Sequence, residues 1–134
     1  MPGENLTRIE AAERAAIVSV DSYEVALDLT SGEETFRSTT TVRFSAKAGA
    51  STFIDAITAK VHSISLNGEA LDTALSDGVR ISLPSLAAEN VLVVDADAHY
   101  MHTGEGLHRF VDPADGEVYL YTQFEVPDSR RMFA

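Results

Sequence analysis

The sequence predicts an all-β fold: an antiparallel β-sandwich or barrel with a short N-terminal helix and a truncated C-terminal helix. Three observations predict it. Apolar residues recur with period two through most of the chain, which is strand spacing. Turn signals such as Asn67-Gly68 and Asp77-Gly78 break these runs about every ten residues, the rhythm of a sandwich or barrel. Before the end of the chain, helical signal is confined to residues 5–18. The length of 134 residues implies one domain, spanning 1–134.

The elements follow in order. Thr7 with Glu10 has capping-box form, and Ala11, Ala12, Ala15 and Ala16 are helix formers. A stripe made mostly of Ala predicts a helix on a surface rather than in a core. Tyr23, Val25, Leu27 and Leu29 then alternate with polar partners, predicting a half-buried strand. Ser31-Gly32-Glu33 breaks it, and Phe36, Ser38, Thr40, Val42 and Phe44 alternate in turn, so the two runs form a hairpin. Residues 52–55 make a short strand. The alternation in 60–66 slips between Val61 and Ile64, which predicts a bulge. Asn67-Gly68 suits a type I′ turn, whose two central residues need positive φ. Residues 69–71 form the short return strand. Val79, Ile81 and Leu83 alternate after the next turn. Leu92, Val94, Ala96, Ala98 and Tyr100 share one face of a long strand.

The last third is the most informative. Gly104-Glu105-Gly106 and the charged residues after it read as a loop. It feeds a strictly alternating run in which Val118, Leu120, Thr122 and Phe124 form the expected core face. Tyr119, Tyr121, Gln123 and Glu125 share the other face. The chain ends on Asp128-Ser129-Arg130-Arg131-Met132-Phe133-Ala134, which opens like a capped helix and stops within two turns.

Composition excludes several function classes. There is no Cys, so disulfides and thiolate metal sites are out, which fits a reducing compartment. A formal charge of −11 opposes phosphate backbones and anionic lipid, so neither nucleic acid nor a membrane is the expected partner. The N-terminal residues lack a basic and an apolar region of the secretory type, and no apolar run approaches the roughly 20 residues of a membrane span. The expected location is cytoplasmic.

The residues that could carry chemistry are few. His99 and His102 are three apart, on opposite faces of a strand, which is poor metal spacing. No HExxH and no GxSxG occurs, so no catalytic residue and no metal ligand is expected in the chain itself. Arg109 with Asp112 and Asp115 reads as a surface ion-pair set. Gln123 and Glu125 are a sharper case: an amide and a carboxylate two apart, on the face not assigned to the core. A desolvated carboxylate there would receive an ammonium group through charge-assisted hydrogen bonds.

Several segments in order resemble the N-terminal domain of the aminopeptidase N family of zinc metallopeptidases. They are Asn5-Leu6-Thr7-Arg8, the strand around Tyr23, Leu66-Asn67-Gly68, and Thr103-Gly104-Glu105-Gly106-Leu107-His108-Arg109-Phe110-Val111-Asp112-Pro113. Tyr119-Leu120-Tyr121-Thr122-Gln123-Phe124-Glu125 and the final Ser129-Arg130-Arg131-Met132-Phe133-Ala134 continue the series. The resemblance implies a saddle-like β domain packed on a zinc-bearing catalytic domain that is absent from these 134 residues. It implies that Glu125 helps hold the free α-amino group of a peptide substrate and that Gln123 lines the pocket for its first side chain. Tyr119 and Tyr121 would meet the catalytic domain, and an apolar patch should be exposed where that domain sits. Zinc would belong to the full-length enzyme, and the chain alone would cut no bond. The alternative reading is a self-standing, non-catalytic β-sandwich binding module. An HExxH downstream in the reading frame would favour the first and a stop after Ala134 the second.

Overall fold

The structure is a computed structural model describing residues 5–125 and 127–134. Helix α1 (Arg8–Ile17) begins at the predicted capping box: Thr7 accepts from the Glu10 N–H, and Glu10 accepts from the Thr7 N–H. None of its residues is buried, as its Ala stripe predicts. The chain then runs through β1 (Val18–Asp28), β2 (Thr35–Ala46), β3 (Thr52–Asp55), β4 (Lys60–Leu66) and β5 (Glu69–Leu71). A single 3-10 turn at Thr73–Leu75 leads to β6 (Arg80–Leu83), β7 (Glu89–His99), β8 (Gly106–Val111) and β9 (Val118–Gln123).

Three antiparallel sheets result: β1-β2-β7-β4-β5, β3-β6 and β8-β9. The alternation works as predicted where a second layer covers it. Val42 and Phe44 of β2, Ile64 and Leu66 of β4, and Leu92, Val94 and Ala96 of β7 share one core with Ile81 and Leu83 of β6. This is a sandwich-like packing. The β4 bulge falls between Val61 and Ser63. Asn67 and Gly68 both take positive φ, at 54° and 84°, as a type I′ turn requires. A second, smaller core joins Phe36, Ala98, Tyr100 and Leu107, backed by Leu27 and Met132.

Four expectations need correction. Residues 106–111 are a strand, β8, because they pair residue for residue with β9. The supposed core face of β9 is exposed: Val118, Leu120 and Phe124 join no core, since among the described residues β9 pairs only with β8 and no second layer covers it. β1 is exposed along nearly its whole length rather than half-buried. Its register aligns Tyr23 with Val42 and Val25 with Thr40, so these side chains share the inner face, yet they lie at the sheet's edge beyond the covering layer. The C-terminal segment closes as a 3-10 helix, Asp128–Arg131, with no side-chain cap on its first turn.

Candidate functional site

β8 and β9 form a hairpin whose root is held by Leu107, 3% exposed in the smaller core. In the Gly-rich loop before β8, the Gly104 N–H donates to His108 Nδ1 at 3.0 Å. That ring lies flat on Tyr121, its partner across the hairpin, with centroids 4.7 Å apart and planes at 23°. His102 approaches His108 edge-on, and its Nδ1 meets the Arg109 carbonyl at 3.0 Å. Gly106 lies opposite Gln123 and adopts φ +62°; a Cβ there would stand 3.0 Å from Cβ of Arg131. Only glycine lets β8 begin this close to the C-terminal segment.

Gln123 ends β9 and is exposed. Glu125 lies beyond the strand, so its placement comes from Asp128 rather than from strand alternation. The Asp128 carboxylate accepts from the Glu125 N–H at 2.8 Å, and the Asp128 N–H donates to the Glu125 carbonyl at 3.0 Å. Asp128 is itself buried and lies 3.7 Å from Arg131 Nε, which also stands 3.4 Å from Glu105. The Glu125 backbone is thus clamped from both sides. Its exposed carboxylate meets no hydrogen-bond or ion-pair partner among the described residues. The structure therefore brings both sequence-predicted site residues to one end of one hairpin, at the surface.

Asp128 and His108 were missed by sequence reasoning. Asp128 had a signal: a carboxylate three residues after Glu125 is the spacing at which a side chain reaches back to a main-chain N–H. The His108–Tyr121 stack had none, because it depends on the hairpin register.

Other sequence-predicted contacts differ. Arg109, Asp112 and Asp115 form no ion-pair set. Asp112 accepts from the Ala114 N–H and Asp115 from the Glu117 N–H, so both shape the hairpin loop, while the Arg109 guanidinium lies 5.9 Å over the Tyr100 ring. The Tyr119 hydroxyl donates to Asp115 at 2.6 Å. This bond holds the Asp115 carboxyl below its usual range and pushes the Tyr119 hydroxyl up. The rings of Tyr119 and Tyr121 stay exposed.

A groove of about 790 Å³ runs beside this site, between α1, β1, β3 and the C-terminal segment. Leu6, Val20, Tyr23, Phe53 and Phe133 give it an apolar floor and rim, and Tyr23 meets Phe133 edge-to-face at 6.1 Å. Pro127 and Ser129, just past Glu125, line its near end. Among the described residues, no group of three or more His, Asp or Glu side chains is placed to hold a metal ion. Nor is any helix long and apolar enough to cross a membrane.

No family model matches the sequence. Aminopeptidase N of Streptomyces lividans is 58% identical over 139 aligned positions, covering all of this chain and 16% of the relative. The chain therefore spans about a sixth of the length of that relative, at its N-terminal end. Along its full length, then, the chain is similar to the N-terminal part of an aminopeptidase N, the resemblance that its sequence segments carry.

Proposed function

We propose that this domain supplies one wall of the substrate site of a cytoplasmic, zinc-dependent aminopeptidase, with Glu125 receiving the substrate's free α-ammonium group and Gln123 lining the pocket for its first side chain. One observation carries the reading: the Glu125 carboxylate has no partner among the described residues, while its main chain is held on both sides by Asp128. A carboxylate that is exposed yet fixed at its backbone is preorganised to accept a charge-assisted hydrogen bond. An exopeptidase must set the distance between the free amine and the bond to be cut. An anchor on a domain separate from the reacting centre sets it by position alone, which lowers the barrier without chemistry at the anchor.

The partner is the protein's own catalytic domain, and the substrates are peptides with a free N-terminus. The zinc would be held by residues outside this chain, since the described residues offer no ligand set for it, and no catalytic step is assigned to this domain. The absence of Cys supports a reducing compartment, and the charge of −11 disfavours nucleic acid and anionic membranes.

The test is Glu125→Ala in the full-length enzyme. Losing one partner of a desolvated charge pair costs about 2 kcal/mol or more, so kcat/KM for a free-amine substrate should fall roughly thirtyfold or further. Gln123→Ala should instead shift the preference among first side chains. Wild-type kcat/KM in the Glu125 variant would refute the anchor.

A further inference from the structure

The main chain of β9 has a direction that the hairpin fixes. Leu107 C=O accepts from the Met101 N–H, and the Arg109 N–H donates to Met101 C=O, both at 2.9 Å. Those groups of β8 therefore point away from β9. Strand residues alternate sides, so Gly106, His108 and Phe110 point toward β9 and bond their register partners Gln123, Tyr121 and Tyr119. The N–H and C=O groups of Val118, Leu120 and Thr122 consequently lie along the outer edge. No hydrogen bond among the described residues reaches them.

The other strand edges of the fold are protected. β1 carries Asp21, Glu24 and Asp28 and a bulge between Val20 and Ser22; β5 has three residues, and β3 and β6 four each. Short length, charge and bulges are the means by which sheets avoid pairing with other chains. β9 has none of them. Its sequence, Val-Tyr-Leu-Tyr-Thr-Gln, has neither charge nor Pro nor bulge, and Val118, Tyr119, Leu120 and Tyr121 stay 39–49% exposed on both faces. A two-stranded hairpin so exposed is marginal in water.

We propose that the outer edge of β9 pairs with a β-strand from the part of the longer protein outside these residues, making the hairpin three-stranded. The chemistry selects an extended strand, because only another strand offers N–H and C=O groups at the spacing of alternate β9 residues; a helix has none to spare. Length supplies the source: the relative at 58% identity is about six times longer than this chain, which covers 16% of it. The inference rests on the reading of the chain as part of a longer enzyme. It adds which edge is joined, and by what secondary structure.

Residue-resolved amide exchange in the full-length protein, with peptidase activity assayed on the same sample, tests it. The Val118, Leu120 and Thr122 amides should exchange about a hundredfold or more slower than unstructured ones, matching Tyr119, Tyr121 and Gln123. This protection should persist on dilution and without substrate. Fast exchange at the three outward amides beside slow exchange at the inward ones overturns the pairing, even in an active enzyme. Protection lost on dilution assigns the edge to a second copy, and protection gained only with added peptide assigns it to substrate; either overturns the proposal. Persistent protection in a protein without peptidase activity upholds the pairing and rejects the enzyme reading.

Discussion

Arg80 is 5% exposed, and charge of that kind is tolerated inside a protein only when paired. Its guanidinium donates to Glu10, lies 3.3 Å from Asp55, and covers the Phe53 ring at 4.3 Å. Arg14 sits near the same ring at 4.7 Å and bonds Asp55 at 3.2 Å. Glu10 therefore does two jobs, capping α1 through Thr7 and joining the helix to β6 through Arg80. The Arg80 hydrogen bond, then the Thr7 N–H, lowers its carboxyl from 4.5 to about 2. A group with a depressed folded-state pKa stabilises the fold when ionised. The contribution is complete above pH 4.5 and is lost as pH falls from there toward 2. Glu10→Gln should thus unfold at lower denaturant at pH 7, and its midpoint should vary less than wild type between pH 4.5 and 2. Parallel pH profiles for the two proteins would contradict the linkage.

At the scale of elements, the hairpin of β8 and β9 depends on one well-buried side chain. Leu107 of β8 fills the small core beside Phe36 and Tyr100, whose rings are 5.0 Å apart, while β9 packs on no core among the described residues. Leu107→Ala should cost about 2–4 kcal/mol, the range for a leucine removed from a core. If the proposed site on the hairpin is right, Leu107→Ala should also lower kcat/KM in the full-length protein, because the hairpin carries Gln123. A stability loss below about 0.5 kcal/mol, the surface level, would show that the root is not anchored there. Much of this architecture was legible in the sequence. β2, β4 and β7 alternate and are buried as read, and the Thr7 cap, the β4 bulge and the Asn67-Gly68 turn fall where their residue types require. The same alternation misled at β1 and β9, since period two reports that one face is apolar but not what covers it. β8 was hidden because Gly106, His108 and Arg109 look loop-like locally, and only pairing with β9 makes them a strand. Gln123 and Glu125 were legible as candidates. The Asp128 clamp that fixes Glu125 was not, because it depends on how the chain turns after β9.

The molecule as a whole has two unlike sides. The outer face of the five-stranded sheet carries polar contacts, the Arg37–Asp95 ion pair and His62 Nε2 at 3.0 Å from the Asp97 carboxylate, and suits water. The inner face at β1 runs out past its covering layer into the apolar groove, where Val20 sits 53% exposed opposite Phe44. If the proposed catalytic domain closes this groove, the same substitution must have two different costs. In the 134-residue domain, Val20→Lys places a charge on an already wet surface and should change stability by no more than about 0.5 kcal/mol. In the full-length protein it would put an ammonium group into an apolar contact with no designed partner, which should cost about 2 kcal/mol or more unless the side chain escapes to the rim. Urea midpoints of the variant and wild type, measured in both forms, separate the cases. A small effect in the domain with a large one in the full protein places a partner over β1. Equal, small effects in both would mean that the groove stays open to solvent in the longer protein and that the proposed catalytic domain does not close it.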